Sequence, residues 1–286
     1  MKKYIELLRV KHYLKNVLVF IPLFFGGHLL FYEEILNGLV GFISFCFVSS
    51  AIYIVNDICD AEKDRRHPIK RERPIASGKV SKKTAWIVFA VCLISGLLLT
   101  AVFQDGVSSF ILLVIYFLLN IGYSIALKNI PILDVFILAS GYIIRIMFGG
   151  EITGIQVSSW LYLTAISASL YMGLGKRRTE LAKKENIKGE TRTVLKYYNV
   201  EFLSKMMNTF FTLTIAFYSL WSIIGNENKF VFWTIPILIL VMMKYSLNIE
   251  KENAEGDPIS IILNDKILIA LGFIFSLSLV LILYFL

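Results

Sequence analysis

The sequence predicts an all-α integral membrane protein. Of its 286 residues, 57% are hydrophobic and 17% are charged, whereas soluble domains average about 45–50% apolar and about 25% charged residues. The apolar residues also fall in repeated runs near the roughly 20 residues that a helix needs to cross about 30 Å of hydrocarbon. These two observations argue against an ordinary soluble core and make the lipid bilayer the solvent of the fold.

Nine apolar segments are candidate transmembrane helices. They lie near residues 16–34, 36–56, 84–104, 107–126, 132–149, 158–175, 207–225, 229–247 and 266–286. Basic residues before the first span resemble a signal peptide, but no small-residue cleavage site follows, so we interpret this span as a retained helix. Because the chain has no linker or low-complexity tract, residues 1–286 are predicted to form a single nine-helix transmembrane domain.

The positive residues predict the orientation, because Lys and Arg concentrate in cytoplasmic loops. Five precede the first span, nine lie between Lys63 and Lys83, and nine lie between Lys176 and Lys205. The opposite loops carry only Lys229. We therefore expect a multi-pass protein of the cell membrane with its N-terminus in the cytoplasm and its C-terminus outside. The formal net charge of +8 is mostly this orientation signal, so nucleic acid is not a predicted partner.

The segment VNDICDAEKDRRHPIKRERPIASG, residues 55–78, places acids and bases at the edge of the second span. On a helix, Asn56, Asp60 and Asp64 are spaced i, i+4, i+8, and Asp57 lies on the same face. Carboxylates at a membrane boundary need a cation or basic partners, and Mg²⁺ prefers oxygen ligands. We predict that these four residues form a metal motif whose three acids are catalytic.

Two interpretations of this segment stay open. In the first, the acids pair with their basic neighbours Lys63, Arg65 or Arg66 and only solvate a helix end. In the second, the acids hold a metal while the following bases bind phosphate oxygens, which together make a diphosphate site. The direct junction of the acids with an apolar run favours the second. The candidate substrate-binding residues of this segment are then His67, Lys70 and Arg73.

A second polar group lies where spans four and five join, in YSIALKNIPILD. Tyr123 and Lys128 end one span and Asp134 begins the next, so we expect all three at the same cytoplasmic interface as the first motif. Interfacial anchoring is the alternative for Tyr123 and Lys128. Further substrate-binding candidates, with interfacial snorkelling or a stop-transfer cluster as the alternative, are Arg145, Lys176 and Arg177.

The NDxxDxxxD pattern, the spans and the second polar group occur in the order typical of the UbiA superfamily of intramembrane prenyltransferases, which this chain resembles over almost its whole length. The resemblance implies nine helices around a central cavity, with Mg²⁺-binding acids at its cytoplasmic mouth. The segments LLRVKHYLKNVLVF, HPIKRERPIASG, YSIALKNIPILD and GKRRTEL are most similar to the decaprenyl-phosphate phosphoribosyltransferase branch. By this resemblance Lys15 and Asn16, in the first segment, are expected to bind substrate.

That branch transfers 5-phosphoribose from phosphoribosyl diphosphate to a polyprenyl phosphate and releases diphosphate. We therefore predict a Mg²⁺-dependent transferase of this kind, acting in cell-envelope biosynthesis. The chain departs from the prenyltransferase pattern at Leu138, where a second acid is typical. Two alternatives stay open: an enzyme joining a prenyl diphosphate to an aromatic or quinone precursor, and a transporter or lipid-binding protein. The sequence also leaves lipid chain length and homo-oligomer formation open.

A cysteine introduced at position 70 tests the predicted orientation. Because the loop over residues 57–83 should face the cytoplasm, an impermeant thiol reagent should modify this cysteine only after the membrane is opened. A cysteine at position 229, in an opposite loop, is the control and should react in intact cells. Labelling of position 70 in intact cells would show that the orientation is the opposite of the predicted one.

Overall fold

The structure is a computed structural model that describes residues 2–66, 70–103, 107–186, 193–251 and 258–286, with the main chain alone at residues 2 and 183–186. Within these ranges the chain forms α-helices and short 3-10 segments, and no β-strand occurs among them. The all-α class that the composition predicts is therefore confirmed.

Twelve α-helices follow one another along the described ranges. They are α1 Lys2–Leu8, α2 Ile21–Phe25, α3 Tyr32–Cys59, α4 Ala61–Arg65, α5 Lys82–Val102, α6 Val107–Ile125, α7 Leu133–Thr153, α8 Ser159–Asn186, α9 Val200–Ile223, α10 Ile235–Ile249, α11 Pro258–Leu263 and α12 Lys266–Phe285. The 3-10 segments among these residues are Val10–Phe20, Lys70–Glu72, Leu127–Asn129, Thr193–Tyr197 and Lys229–Thr234.

The chain divides into two compact units. Unit 1 contains residues 1–125 and 144–156, and unit 2 contains residues 126–143 and 157–286. Helix α7 therefore supplies its first half to unit 2 and its second half to unit 1. Within unit 1, α3 packs along α5, and within unit 2, α8 packs along α9.

Six of the described helical stretches are long and apolar enough to cross a membrane, judged by length and composition: α3, α5, α6, α7, the stretch Lys229–Ile249 and α12. In the most apolar window of α5 only 22% of the residues are buried, and large side chains such as Trp86 and Ile87 are exposed. An apolar surface of this extent marks a face that another apolar medium covers. Lipid is that medium for a membrane helix.

The predicted count of nine spans is not confirmed. Helices α8 and α9 overlap the spans predicted at 158–175 and 207–225, but neither is among the six. Helix α8 continues without a break through the polar sequence GKRRTELAKK, which we predicted as a segment following the span.

The segment predicted as the first span, residues 16–34, is not one continuous helix. The chain runs as a 3-10 segment to Phe20, makes the short helix α2, and begins α3 only at Tyr32. Pro22 lies in the first turn of α2, and Gly27 has a φ of 77°, a conformation that glycine adopts without steric penalty. Hydrophobicity alone does not register such breaks, which is why the prediction was wrong here.

One close approach in unit 1 depends on a glycine. A Cβ atom added to Gly149 of α7 would lie 2.1 Å from the carbonyl oxygen of Val19 in the 3-10 segment. Only a residue without a side chain permits the two backbones to come this near. The contact sets α7 against the segment that carries Asn16, and Arg145 of α7 bonds to that asparagine.

Side-chain caps begin three of the long helices. Ser81 accepts a hydrogen bond from the Thr84 N–H at the start of α5, Asn199 accepts one from Phe202 N–H at α9, and Asp265 accepts one from Leu268 N–H at α12. Each cap satisfies a backbone donor that has no partner within its helix. The polar residues before these apolar runs therefore set where the helices start.

Candidate active site

The first acidic motif lies at the end of α3 in unit 1. The helix ends at Cys59, and Asp60 has a φ of −88° and a ψ of 0° before α4 begins at Ala61. The backbone still bonds with helical spacing, from Asp60 N–H to the Asn56 carbonyl at 2.9 Å and from Asp64 N–H to the Asp60 carbonyl at 2.8 Å. The helix predicted to continue past the span is thus present with a break at Asp60.

Two arginines clamp the carboxylates of Asp57 and Asp64. Arg73 Nη1 donates to Asp64 Oδ2 at 2.6 Å and to Asp57 Oδ1 at 3.2 Å. Arg9 Nη2 donates to the same oxygen of Asp57 at 2.5 Å. Asp57 and Asp64 are only 2% and 3% exposed, and carboxyl groups buried this deeply are costly unless such partners bond to them.

These partners differ from those considered in the sequence. The neighbouring Arg65 donates from Nε to the Ala76 carbonyl at 3.1 Å, whereas the acids pair with Arg9 and Arg73. Arg73 was predicted as a substrate-binding residue and Arg9 was not predicted at all. The available signal for Arg9 was its place in LLRVK just before the first span, where we interpreted it only as an orientation charge.

The oxygen atoms of the motif suit a hard cation. Asn56 Oδ1 is buried and accepts no hydrogen bond from the residues that the structure describes, so a cation beside it would satisfy an otherwise costly acceptor. Across the same part of the chain no three His, Cys, Asp or Glu side chains form a preassembled metal cluster. Mg²⁺ needs only one or two protein carboxylates, because water and substrate phosphates complete its shell. The residues at Asn56, Asp57 and Asp64 therefore fit Mg²⁺.

An open cleft of about 520 Å³ adjoins the clamp. This volume lies within the range of small-molecule sites, roughly 300–1,000 Å³. Arg73 lines the cleft as well as bonding to the acids, so the clamp reaches the surface there. Lys79 is a lining residue that the sequence did not suggest, and His67 lies outside the described residues. The lining residues are Glu6, Lys70, Glu72, Arg73, Pro74 and Lys79.

Arg145 and Asn16 meet inside unit 1. The guanidinium carbon of Arg145 lies 4.9 Å from the ring centroids of both Phe45 and Tyr116. Its Nη2 donates to the Tyr116 hydroxyl at 2.8 Å and its Nε donates to Asn16 Oδ1 at 2.9 Å. Asn16 in turn donates to Cys46 Sγ at 3.2 Å. Both residues are buried, so Arg145 does not snorkel to an interface.

Comparison with known proteins identifies the family. Residues 19–264 match the model of the UbiA prenyltransferase family. The chain belongs to this family. It is 32% identical over 283 residues to a decaprenyl-phosphate phosphoribosyltransferase of Corynebacterium glutamicum, covering 96% of this chain and 85% of the relative. It is 30% identical to the protein of the same name from Mycobacterium tuberculosis, covering 92% of this chain and 88% of that one.

The fold agrees with the family. A UbiA homologue from Archaeoglobus fulgidus, solved bound to GPP and Mg²⁺, superposes with a TM-score of 0.74 at 20% identity, covering 97% of this chain and 96% of that one. With its long apolar helices, this UbiA family member is an integral membrane protein and a transferase.

The second motif of this UbiA protein forms a closed ionic network in unit 2. Arg177 Nε donates to Asp134 Oδ2 at 2.5 Å, and the Tyr198 hydroxyl donates to Asp134 Oδ1 at 2.6 Å. Arg177 Nη1 also donates to Glu180 Oε2 at 2.7 Å. Asp134 and Arg177 are both completely buried. Each oxygen of Asp134 is therefore engaged by another side chain of the same unit.

Tyr198 connects this network to the backbone at Ile132. Its hydroxyl accepts a hydrogen bond from Ile132 N–H at 2.6 Å, and Ile132 has a φ of 69°. Burial raises the pKa of Tyr198 to about 12, and the bond that it donates to Asp134 acts in the same direction. The hydroxyl is therefore protonated at neutral pH and serves as a donor. Neither Tyr198 nor Glu180 was predicted, because nothing local connects them with position 134.

The other predicted residues occupy separate elements. Lys15 is half-buried on the first 3-10 segment, and Lys70 is exposed at the start of another. Tyr123 is half-buried near the end of α6 and Lys128 is half-buried in the turn Leu127–Asn129. Lys176 is half-buried on α8. Their role in binding substrate stays a prediction.

The network predicts a large stability loss for Asp134→Asn. The change removes the fully buried carboxylate from Arg177 and leaves it only the more exposed Glu180, and breaking a buried pair costs about 3–5 kcal/mol. Glu180→Gln removes the more exposed partner of the same arginine and should cost about 1 kcal/mol or less. Thermal unfolding of both variants in detergent measures the difference. Equal stability of the two would show that Asp134 is not the anchor.

Proposed function

We propose that this UbiA family member transfers 5-phosphoribose from phosphoribosyl diphosphate to a polyprenyl phosphate, at the cytoplasmic face of the membrane. The observation that carries the proposal is the clamp of Asp57 and Asp64 by Arg73, beside a cleft lined by three bases and two acids. The names of the Corynebacterium and Mycobacterium relatives, which match along most of the chain, support it. We further propose nine helices around a central cavity, with the N-terminus in the cytoplasm.

The three bases that line the cleft suit a donor with several phosphates. Phosphoribosyl diphosphate carries a 5-phosphate as well as its diphosphate, so it needs more bases than a prenyl diphosphate does. Lys70, Arg73 and Lys79 line the cleft together. Both bonds from Arg73 to the acids leave from Nη1. We therefore assign the binding of donor oxygens to its Nε and Nη2. In this arrangement Arg73 orients the acids and the donor at once.

The reaction is a displacement at the anomeric carbon of the donor. An oxygen of the lipid phosphate forms a bond to C1 of the ribose, the bond between C1 and the diphosphate oxygen breaks, and its electron pair leaves with the diphosphate. The attacking phosphate is already anionic, so no general base is needed. The protein lowers the barrier by holding the two substrates in line and by stabilising the leaving group with Lys70 and Arg73. In-line attack inverts an α donor to a β product.

Asn56, Asp57, Asp60 and Asp64 are the residues that we propose to hold Mg²⁺. When bound, the ion supplies positive charge that stabilises the departing diphosphate. Asn56 contributes a buried oxygen, and Asp57 and Asp64 contribute carboxylates that already converge on one arginine nitrogen.

The remaining site residues are proposed in two groups. Asp134 and Arg177 act as positioning residues, because their charged groups are occupied by each other and by Tyr198 and Glu180. Asn16 and Arg145, which are buried and bonded to each other, are likewise proposed to position the site rather than to bind substrate directly. The residues proposed to bind lipid phosphate or donor directly, with His67, are Lys15, Tyr123, Lys128 and Lys176.

A second candidate function is prenyl transfer from a prenyl diphosphate to an aromatic or quinone precursor. The UbiA homologue of the same fold that is bound to GPP favours this alternative. It would use the same acids but would bring the isoprenoid as a diphosphate donor.

An assay with purified protein in lipid separates the two functions. Phosphoribosyl diphosphate should be consumed, and diphosphate released, only when a polyprenyl phosphate is present, and the product should be the β anomer because the attack is in line. Control reactions omit the lipid or replace the donor by a prenyl diphosphate with an aromatic acceptor. Product formation in the last control, with no consumption of phosphoribosyl diphosphate, would establish prenyl transfer instead.

Substitution of the acids tests the proposed metal motif. Asp57→Asn, Asp60→Asn and Asp64→Asn should each lower turnover at least about a hundredfold, since each removes an anionic ligand while preserving side-chain volume. Glu62→Gln, an exposed acid between them on α4, is the matched control and should retain activity. Excess chelator should reproduce the loss in the unmodified protein. Full activity of the variants would show that these acids only support the structure and do not hold a metal.

A further inference from the structure

Arg9 adopts a backbone conformation that its side chain disfavours. It lies between α1 and the first 3-10 segment with a φ of 52° and a ψ of 47°. Among the non-glycine residues that the structure describes, only Arg9 and Ile132 have positive φ. A residue with a Cβ atom persists in this region only when surrounding contacts hold it there, and such strain gathers at functional sites.

Two contacts hold the side chain of Arg9. Its guanidinium carbon lies 4.9 Å from the centroid of the Tyr53 ring, which is a stacking distance for a cation and an aromatic face. Its Nη2 donates to Asp57 Oδ1 at 2.5 Å. The Arg9 side chain is 20% exposed whereas that of Asp57 is 2% exposed. Arg9 is thus the more exposed partner of a carboxylate that is itself buried.

The contact with Asp57 conflicts with metal binding at the same oxygen. Asp57 Oδ1 already accepts hydrogen bonds from Arg9 and Arg73. A divalent cation on this carboxylate would compete for its lone pairs and would repel the two guanidinium groups at short range. Arg73 has a second carboxylate, Asp64, to which it can hold. The contacts that the structure gives Arg9 offer it no other carboxylate, so Arg9 is the partner that gives way.

We propose that Arg9 is a displaceable counter-ion of Asp57. It neutralises the buried carboxylate until metal and donor arrive, and its guanidinium then turns to a phosphate oxygen of the bound donor. The stack on Tyr53 keeps the charged group at the site during this exchange. A guanidinium suits both positions, because its planar fork binds carboxylate and phosphate alike. The inference rests on the proposed metal role of Asp57 but not on which donor the protein uses.

The exchange predicts that removal of the Arg9 guanidinium changes metal affinity and donor affinity in opposite directions. Without the Arg9 guanidinium, a divalent cation alone meets less competition at Asp57 and binds more tightly. The phosphate-bearing donor loses a cationic contact and binds more weakly. A residue that only supports the fold would weaken both kinds of binding or neither.

Binding of Mn²⁺ to the full chain in detergent, followed by electron paramagnetic resonance, measures the first effect. Arg9→Asn removes the charge but retains a residue that tolerates positive φ. It should tighten Mn²⁺ binding about tenfold, because one competing positive charge leaves the carboxylate. Lys11→Gln removes an equal charge from an exposed position two residues away and should change the affinity by about twofold or less, since solvent screens it.

The second effect is measured as the affinity for phosphoribosyl diphosphate at saturating Mg²⁺, which Arg9→Asn should weaken about tenfold through the lost charge-assisted bond. A folded Arg9→Asn protein with unchanged or weaker Mn²⁺ binding overturns the proposal. If this variant does not fold, Arg9→Gln replaces it. Glutamine also removes the competing charge, so it should tighten Mn²⁺ binding about tenfold, and an unchanged affinity again overturns the proposal.

Asp57→Asn separates this proposal from the function on which it rests. It should abolish Mn²⁺ binding if Asp57 is a ligand. Unaltered Mn²⁺ binding in that variant would remove the proposed metal role itself and the exchange with it. Loss of binding in Asp57→Asn together with an inert Arg9→Asn would leave the metal role standing and overturn the exchange alone.

Discussion

The burial of carboxylates beside hydrocarbon is the constraint on which the described site depends. Asp57 near the end of α3 and Asp64 on α4 are almost fully enclosed, where an unpaired charge would have to be neutralised or solvated. The chain meets this need from two directions, with Arg9 from the junction between α1 and the first 3-10 segment and Arg73 from the segment after α4. These ion pairs hold both segments against the helix end, so the same contacts that stabilise the charges also shape the cleft.

The two acidic motifs solve the problem of buried charge differently. In unit 1 both arginines remain partly exposed and Arg73 lines an open cleft, so their contacts with the acids can be exchanged for contacts with a ligand. In unit 2 Asp134 and Arg177 are completely enclosed, and Tyr198 takes the remaining oxygen of the acid. The absence of a second acid at Leu138 agrees with this division. The motif of unit 1 can therefore exchange its partners, whereas the motif of unit 2 keeps the same partners.

Arg145 shows a third arrangement, in which aromatic rings and neutral oxygen atoms surround a buried cation. Phe45 and Tyr116 stack against its guanidinium, and Asn16 and the Tyr116 hydroxyl accept its hydrogen bonds. A guanidinium tolerates such surroundings because it is delocalised and more weakly hydrated than an ammonium group. Replacement by lysine would therefore not be conservative at this position. The close approach at Gly149 is what places this arginine next to Asn16.

The composition and periodicity of the chain determined its class and the location of its chemistry. A run of about 20 apolar residues crosses lipid as a helix, because only then are its backbone N–H and C=O groups hydrogen-bonded within the segment. Acids next to such a run are conspicuous because their burial is costly. These are local properties, so Asn56, Asp57, Asp64, Arg73 and Asp134 could be selected without coordinates. The NDxxDxxxD pattern also led to the family, which the match over residues 19–264 shows.

Only the tertiary structure decided which charges meet. Arg9 and Asp57 are 48 residues apart, and Asp134 and Tyr198 are 64 apart, so no spacing along one helix relates them. Hydropathy also reads residues 16–34 as continuous, whereas the structure breaks this stretch around the short helix that contains Pro22 and at Gly27. The nearer bases were the plausible partners from sequence, yet Arg65 bonds to a carbonyl instead. Partner choice follows from backbone geometry and packing, because a side chain bonds to what lies within about 3 Å of it and not to what is adjacent in sequence.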